Sequence, residues 1–285
     1  LAQVIVVGLD LGTAPPSNSY VPLDERHKPE LLYPLVIRCC RECRLVQTED
    51  FAARETFFSS SYAYFSSFST SWLKHAETYV ADMQARFGLT ERSHIVEIAA
   101  NDGYLPQYAQ ARSIPCLGIE PTASTAAAAR QKGLEIVEDF FGSALGKRLA
   151  AEGRAADLAV ANNVLAHVPD INDFVAGFTA ILKPEGVATF EFPHLVNMVR
   201  ENQFDTAYHE HYSYLSLTAV IRIFEKNGLT VFDVETTPWH GGSLRVFAER
   251  SDTGRRTITP AVAATLAAER KAGVLTDDYY TAFQG

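Results

Sequence analysis

Apolar positions along this chain change their period at about residue 76. The segment "WLKHAETYVADMQARFG" spaces its apolar residues as an amphipathic helix does and stops at Gly88. Five mostly apolar runs follow: "HIVEIAA", "PCLGIEP", "LEIVEDF", "DLAVANNVL" and "GVATFEFP". Strands covered on both faces read this way, and helical stretches such as "ASTAAAARQKG" and "INDFVAGFTAILKPEG" lie between them to supply the cover. The alternation predicts an α/β fold built on a parallel, doubly wound sheet. Near the end, "LTVFDVETT" and "SLRVFAER" are joined only by "PWHGG", so the sheet should finish in a hairpin rather than another crossover.

The first 75 residues lack such a rhythm. Pro15, Pro16, Pro22, Pro29 and Pro34 punctuate short apolar runs, and "FFSSSYAYFSSFSTS" follows, rich in serine and aromatic rings. The expected division is a small irregular N-terminal region at 1–75, the α/β domain at 76–250, and a helical Ala- and Thr-rich tail at 251–285.

Length and composition narrow the function. With 285 residues, 47% hydrophobic, the chain buries a substantial core. A formal charge of -9 without a long Lys/Arg run argues against nucleic acid as a partner, because phosphate-backbone binding needs clustered cations. No stretch approaches the roughly 20 apolar residues of a membrane-spanning helix. "LAQVIVVGL" is short, lacks a basic flank and runs into Asp10, unlike a secretory signal. A cytoplasmic enzyme acting on small molecules, compatible with a monomer, is the expectation. Four cysteines, three bunched as Cys39, Cys40 and Cys43, make no disulfide framework. "CREC" has the C-x-x-C spacing of a zinc knuckle at Cys40 and Cys43, but tetrahedral zinc needs two more ligands.

In such sheets ligands collect at the carboxyl ends of the strands. The first strand runs into "EIAANDGY", with one glycine where a dinucleotide fold would want three. S-adenosylmethionine has no phosphate, and a turn offering Glu97, Asn101, Asp102 and Gly103 suits its aminocarboxypropyl arm. Glu120, at the second strand's end, is placed to accept both ribose hydroxyls. Asp139 and Phe140 follow the third strand, a carboxylate for the adenine amine and a ring for its face. Asn162, Asn163 and His167 follow the fourth. Each alone also reads as an ordinary helix cap or surface polar group. Glu97 and Glu120 at successive strand ends favour the methyl donor over nucleotide or dehydrogenase readings.

Several segments together carry a family resemblance: "LDLGTAPPSNSY", "YPLVIRCCRECRLVQ", "SYAYFSSFS", "VEIAANDGYL", "NNVLAHVPD", "FDTAYHEHYSYLSL" and "HGGSLRV". The chain resembles the S-adenosylmethionine-dependent sugar C-methyltransferases of deoxysugar pathways, such as the C-3′-methyltransferase of tetronitrose biosynthesis. The resemblance implies a sheet of the class I methyltransferase type, a zinc-binding N-terminal domain and a further C-terminal domain. That family's first zinc pair lies upstream of the "LDLG" segment, so Cys40 and Cys43 would be the second half of the site. Its C-terminal domain extends roughly another hundred residues, so residues 251–285 would be only its start, truncated or absent beyond. "EFPHL" departs from the family, which more often has Tyr in place of His194.

"YHEHYSYLS", residues 208 to 216, concentrates the chemistry. It reads as loop packing, or as a metal site using His209, His211 and His167, or through the resemblance as a carbon-acid site. The resemblance assigns His211 as general base, with Tyr208 and His167 around the sugar oxygens, Glu210 anchoring a hydroxyl or orienting a histidine, and Tyr62 closing the pocket. Imidazole suits proton removal at neutral pH, and positioned donors stabilise the enolate that results. Gly241 and Gly242 beside His240 are either hairpin turn chemistry or, by resemblance, a border of the sugar site. The expected reaction is methyl transfer to a carbon alpha to the ketone of a nucleotide-linked 4-keto-deoxysugar, with thymidine diphosphate as the expected handle. O- or N-methylation, and a non-catalytic binding module for S-adenosylmethionine or a sugar nucleotide, are the competing readings.

Overall fold

The computed structural model describes residues 5–17, 20–49, 51 and 64–282. The N-terminal region is an antiparallel sheet rather than irregular chain. β1 (Ile5–Ala14) pairs with β2 (Tyr33–Cys40), which pairs with β3 (Val46–Thr48). Between β2 and β3 the "CREC" segment folds tightly: Arg44 takes a left-handed φ of 62°, and its N–H donates to the Cys40 carbonyl at 2.8 Å. Pro34 near the start of β2 breaks the alternation that would announce that strand, and Pro15, Pro16, Pro22 and Pro29 fill the connection between β1 and β2.

The helix α1 (Thr70–Phe87) starts five residues before the expected boundary at 75. Ser69 caps it by accepting from Trp72 N, and Gly88 ends it in a left-handed conformation at φ 63°. The alternating units follow as β4 (Ile95–Ile98), α2 (Pro106–Ala111), β5 (Cys116–Ile119), α3 (Ala123–Gln131), β6 (Glu135–Val137), α4 (Ser143–Ala151), β7 (Ala156–Asn162), α5 (Ile171–Ile181) and β8 (Leu182–Pro193). After α6 (Leu195–Arg200) comes β9 (Ser213–Tyr214), then α7 (Leu217–Lys226) and the expected hairpin β10 (Leu229–Thr237) and β11 (Ser243–Arg250). The tail forms α8 (Pro260–Ala272) and α9 (Asp278–Thr281).

The large sheet has the order β10-β11-β8-β7-β4-β5-β6. Its strands from β8 to β6 pair in parallel, and only β11 runs against its neighbours. Strand order therefore reverses between β4 and β7, which opens a crevice at their carboxyl ends. Phenylalanines weld the face under α5 and α7: Phe178, Phe190 and Phe224 sit with ring centroids 4.5 Å apart in succession, all three fully buried.

The small and large sheets are stitched together at β9, a two-residue strand that pairs with β3 directly after the 208–212 loop. The tail is stitched on by a buried carboxylate. Glu269 of α8, with no exposed surface, accepts from Leu217 N at 2.6 Å, from Thr218 N at 2.8 Å and from the Thr218 hydroxyl, and so caps α7. His194 Nε2 lies 2.8 Å from the same carboxylate. Against the upward push of burial, His194 and Thr218 hold Glu269 below the usual carboxylate range.

Candidate active site

The crevice at the strand reversal encloses about 990 Å³, counting its open mouth. Asn101, Glu120, Asp139, Phe140, Asn162, Asn163 and His167 all line it, alongside Trp72, Tyr104 and Tyr64. Seven of the residues expected at strand ends are thus brought to one cleft. Glu97, Asp102 and Gly103 stand behind its wall. Glu97 is fully buried in β4, where burial pushes its carboxyl well above the usual range and outweighs the nearby Tyr104 hydroxyl. Asp102 turns to the Ser67 N–H at 3.2 Å and to Lys132 Nζ at 3.4 Å, tying the turn to the segment before α1. Gly103 packs so closely on Leu134 and Ala129 that a Cβ would collide with them.

One glycine suffices in the turn after β4 for a reason the sequence does not display. Residues 99, 101 and 103 are all left-handed, with φ of 59°, 49° and 79°. Ala99 and Asn101 take the conformation that glycine adopts most easily, and Asn101 is held there by its own bonds. Its Oδ1 accepts from Ser66 N at 2.9 Å, and its N–H donates to Glu120 Oε2 at 2.9 Å. Glu120 Oε1 accepts from Thr122 N and from the Thr125 hydroxyl at 2.9 and 3.0 Å. With a single donor on Oε2, the carboxylate keeps acceptor capacity for a ligand hydroxyl.

A second feature of the cleft calls for a ligand. Both side-chain atoms of Asn162, 5% exposed at the end of β7, have no hydrogen-bond partner among the described residues. Asn163 beside it is left-handed at φ 53°, with its N–H donating to the Glu191 carbonyl at 2.7 Å. A carboxylate with spare acceptor capacity, an unsatisfied amide and the Phe140 ring together fit the ribose, polar arm and adenine of S-adenosylmethionine. When bound, that molecule supplies an electrophilic methyl group on a sulfonium.

His167 joins the cleft to the 208–211 loop: its ring meets the His211 ring edge-on with centroids 4.6 Å apart. His211 Nδ1 lies 2.8 Å from the Thr206 carbonyl and Nε2 lies 2.8 Å from the Tyr208 hydroxyl. Burial lowers the His211 pKa to about 4 against the raising effect of Thr206, and burial followed by His211 lowers His167 well below 6.5. Burial, reinforced by Glu210, raises the Tyr208 phenol. Glu210 is 2% exposed and accepts from the Ser17 hydroxyl at 3.2 Å, so the N-terminal region reaches this loop. His209 points elsewhere, to the Tyr33 and Pro34 carbonyls at 3.2 and 3.1 Å, and fastens the loop to β2. Tyr62 lies outside the described residues.

Three residues that the sequence reading passed over form a buried knot below the cleft mouth. Glu191 accepts from Arg245 at 2.8 and 3.0 Å through Oε2, and its Oε1 lies 2.7 Å from His75 Nε2. Against burial, His75 and Arg245 hold the Glu191 carboxyl below its ordinary value. The antiparallel register of β8 and β11 sets Glu191 opposite Arg245. A charge inside each of two apolar strand runs was the available signal. His75 also packs against Trp72 and Trp239, with centroids 4.9 and 4.8 Å away. His240, left-handed at φ 49° between them and the glycine pair, places its ring 4.9 Å from Trp72.

The zinc expectation is not completed by these residues. Cys40 and Cys43 are free thiols, and among the described residues no group of three or more His, Cys, Asp or Glu side chains is arranged to hold a metal ion. The histidines of the 208–211 loop are engaged with carbonyls and a phenol instead.

Comparison with known proteins agrees with the geometry. Residues 72–234 match the family described as "Methyltransferase domain", residues 5–58 one described as "Putative zinc binding domain", and residues 238–285 one described as "C-methyltransferase C-terminal domain". The C-methyltransferase NovU of Streptomyces niveus is 33% identical over 276 residues, and the match takes in 96% of this chain and 65% of the length of that relative. The PH0226 protein of Pyrococcus horikoshii, 12% identical, superposes with a TM-score of 0.53 over 66% of this chain and 94% of its own. An S-adenosylmethionine-dependent methyltransferase from Clostridium acetobutylicum, 11% identical, gives 0.50 over 62% and 92%. These two share the fold of the large sheet. The chain belongs to the family described as "Methyltransferase domain".

Proposed function

We propose that the protein transfers a methyl group from S-adenosylmethionine to a carbon alpha to the ketone of a nucleotide-linked 4-keto-deoxysugar, with thymidine diphosphate as the handle. The observation that carries this reading is a buried, neutral His211 held by Thr206 and Tyr208 beside the donor cleft. Methylating carbon requires proton removal first, and an imidazole that is neutral at pH 7 has a lone pair to accept that proton. Methylating oxygen or nitrogen ionises no carbon acid. Glu120, Asp139, Phe140, Asn162 and Asn163 hold the donor. Asn101 shapes the turn beneath it. His167, between the two halves, borders the sugar oxygens in this reading, lining the cleft with its ring against His211. Glu210 anchors a sugar hydroxyl or the loop itself through Ser17. Tyr62 closes the pocket in this reading, and Cys40 and Cys43 serve a zinc knuckle away from the chemistry. The partner is a small molecule, neither nucleic acid nor membrane; among the described residues no helix is long and apolar enough to cross a membrane.

The test is product analysis with methyl-labelled donor and a thymidine diphosphate-linked 4-keto-6-deoxyhexose. A label on ring carbon with loss of the carbon-bound hydrogen is the expected result. A label on oxygen overturns the reading.

A further inference from the structure

S-adenosylmethionine carries its positive charge on sulfur, and a cation taken out of water needs an electron-rich neighbour. Among the described residues that line the cleft only Glu120 and Asp139 are acidic, and no Lys or Arg joins them. The covalent order of the molecule is adenine, ribose, sulfonium. With the adenine at Asp139 and Phe140 and the ribose at Glu120, both carboxylates are committed before the sulfonium is reached. The hydrogen bonds lead on from there to an aromatic ring. Glu120 Oε2 accepts from Asn101 N at 2.9 Å, and the Asn101 side chain ties the turn to the strap before α1: its Nδ2 donates to the Tyr64 carbonyl at 3.2 Å and its Oδ1 accepts from Ser66 N at 2.9 Å. Lys132 Nζ adds a bond to the Ser67 hydroxyl at 3.0 Å. Tyr64 is thereby held on the lining of the cleft with 48% of its surface open. Burial is the first cause that raises the Tyr104 and Tyr208 phenols, and the Tyr64 phenol adds to both. Tyr64 thus stands within electrostatic reach of the donor wall at Tyr104 and of the acceptor loop at Tyr208, at the boundary that a transferred methyl group has to cross.

We propose that Tyr64, clamped by Asn101, takes the sulfonium of S-adenosylmethionine against its ring. Tyr64 is then a donor-binding residue and Asn101 its positioning residue. This deepens the donor assignment and rests on it, whatever the acceptor. The negative face of an aromatic ring attracts a cation more strongly than it does a neutral thioether. Methyl transfer turns the one into the other: the sulfur–methyl bond breaks, its electron pair stays on sulfur, and the product S-adenosylhomocysteine has lost the positive charge. The ring therefore adds to the affinity for the reactant and little to that for the product.

Calorimetric titration with S-adenosylmethionine and with S-adenosylhomocysteine tests the ring without recourse to turnover. Tyr64 is half exposed, so Tyr64→Leu leaves the core intact. The expected result is a loss of S-adenosylmethionine affinity of about 5- to 10-fold, with S-adenosylhomocysteine affinity within about twofold of the unsubstituted protein. Tyr64→Phe keeps a ring and should keep both affinities within about twofold. Asn101→Gly keeps the left-handed turn and the N–H toward Glu120 but releases the strap, and should reproduce the selective loss. Equal losses of both ligands in Tyr64→Leu, or no loss of either, overturn the proposal. A loss in Tyr64→Phe that matches Tyr64→Leu assigns the effect to the hydroxyl and overturns it too, and an unselective Asn101→Gly overturns the clamp. If the unsubstituted protein binds neither ligand, the donor assignment falls and the part of Tyr64 with it.

Discussion

The two ends of the active site solve opposite problems. At the donor end, Glu120 keeps acceptor capacity and Asn162 keeps an unpaired amide, so polar groups wait for a ligand. At the acceptor end, Tyr208, His211 and Thr206 satisfy one another, and burial holds the imidazoles neutral. Binding a polar, cationic molecule calls for unsatisfied dipoles at a water-filled mouth. Taking a proton from carbon calls for a dry site where a weak base is not wasted on solvent. In the proposed reaction the two adjoin through His167, which lines the donor cleft and packs its ring on His211.

Substitutions should separate the ends. The largest effect is expected from His211→Asn: a fall in kcat of about 10²- to 10⁴-fold, with donor affinity by calorimetry unchanged. Equal loss of donor binding would break the comparison. Next is Glu191→Ala, which leaves the buried Arg245 with only its 3.5 Å contact to Glu235 and should cost about 3–5 kcal/mol in denaturant unfolding. A loss under 1 kcal/mol would mean that water reaches the knot.

Third is pH. With a folded pKa of about 4 against roughly 6.5 unfolded, His211 binds more protons in the unfolded chain between those values. Stability contributed by the neutral ring is therefore present above about pH 6.5 and is lost as pH falls toward 4, by about 3 kcal/mol in total. The depressed pKa of His167 adds in the same direction. Unfolding midpoints across this window should fall steeply in the parent and less steeply in His211→Asn. The smallest effect is Glu120→Ala, expected to weaken S-adenosylhomocysteine binding about 10- to 100-fold, the worth of charge-assisted hydrogen bonds, with kcat at saturating donor nearly intact. A large fall in kcat would show that the donor end also positions the reacting carbon.

The strands of the large sheet were legible because their signal is local. "LTVFDVETT" and "SLRVFAER" coincide with β10 and β11, β4, β5 and β6 fall inside the expected runs, and β7 and β8 overlap theirs but begin earlier, since burial on both faces leaves a near-continuous apolar record. Loops that follow the strand ends border the crevice in a doubly wound sheet, which is why Asn101, Glu120, Asp139, Phe140, Asn162, Asn163 and His167 were expected there and line it, whereas Asp102 and Gly103 of the same turn do not.

Tertiary structure decided what depends on neighbours distant in the chain. The same strand end faces Glu97 into the core, where burial raises its carboxyl pKa, because side chains alternate and sequence alone does not say which face closes. The left-handed backbone at Ala99 and Asn101 has no glycine to announce it, since bonds from Glu120 and Ser66 hold the turn. Glu191 and Arg245 meet only through strand register, 54 residues apart. The residue types of "YHEHYSYLS" named its chemistry, but their hydrogen bonds divided the labour, with His209 on the scaffold and Tyr208 on His211. Composition and period are properties of a segment, whereas protonation and direction belong to what the fold packs around it.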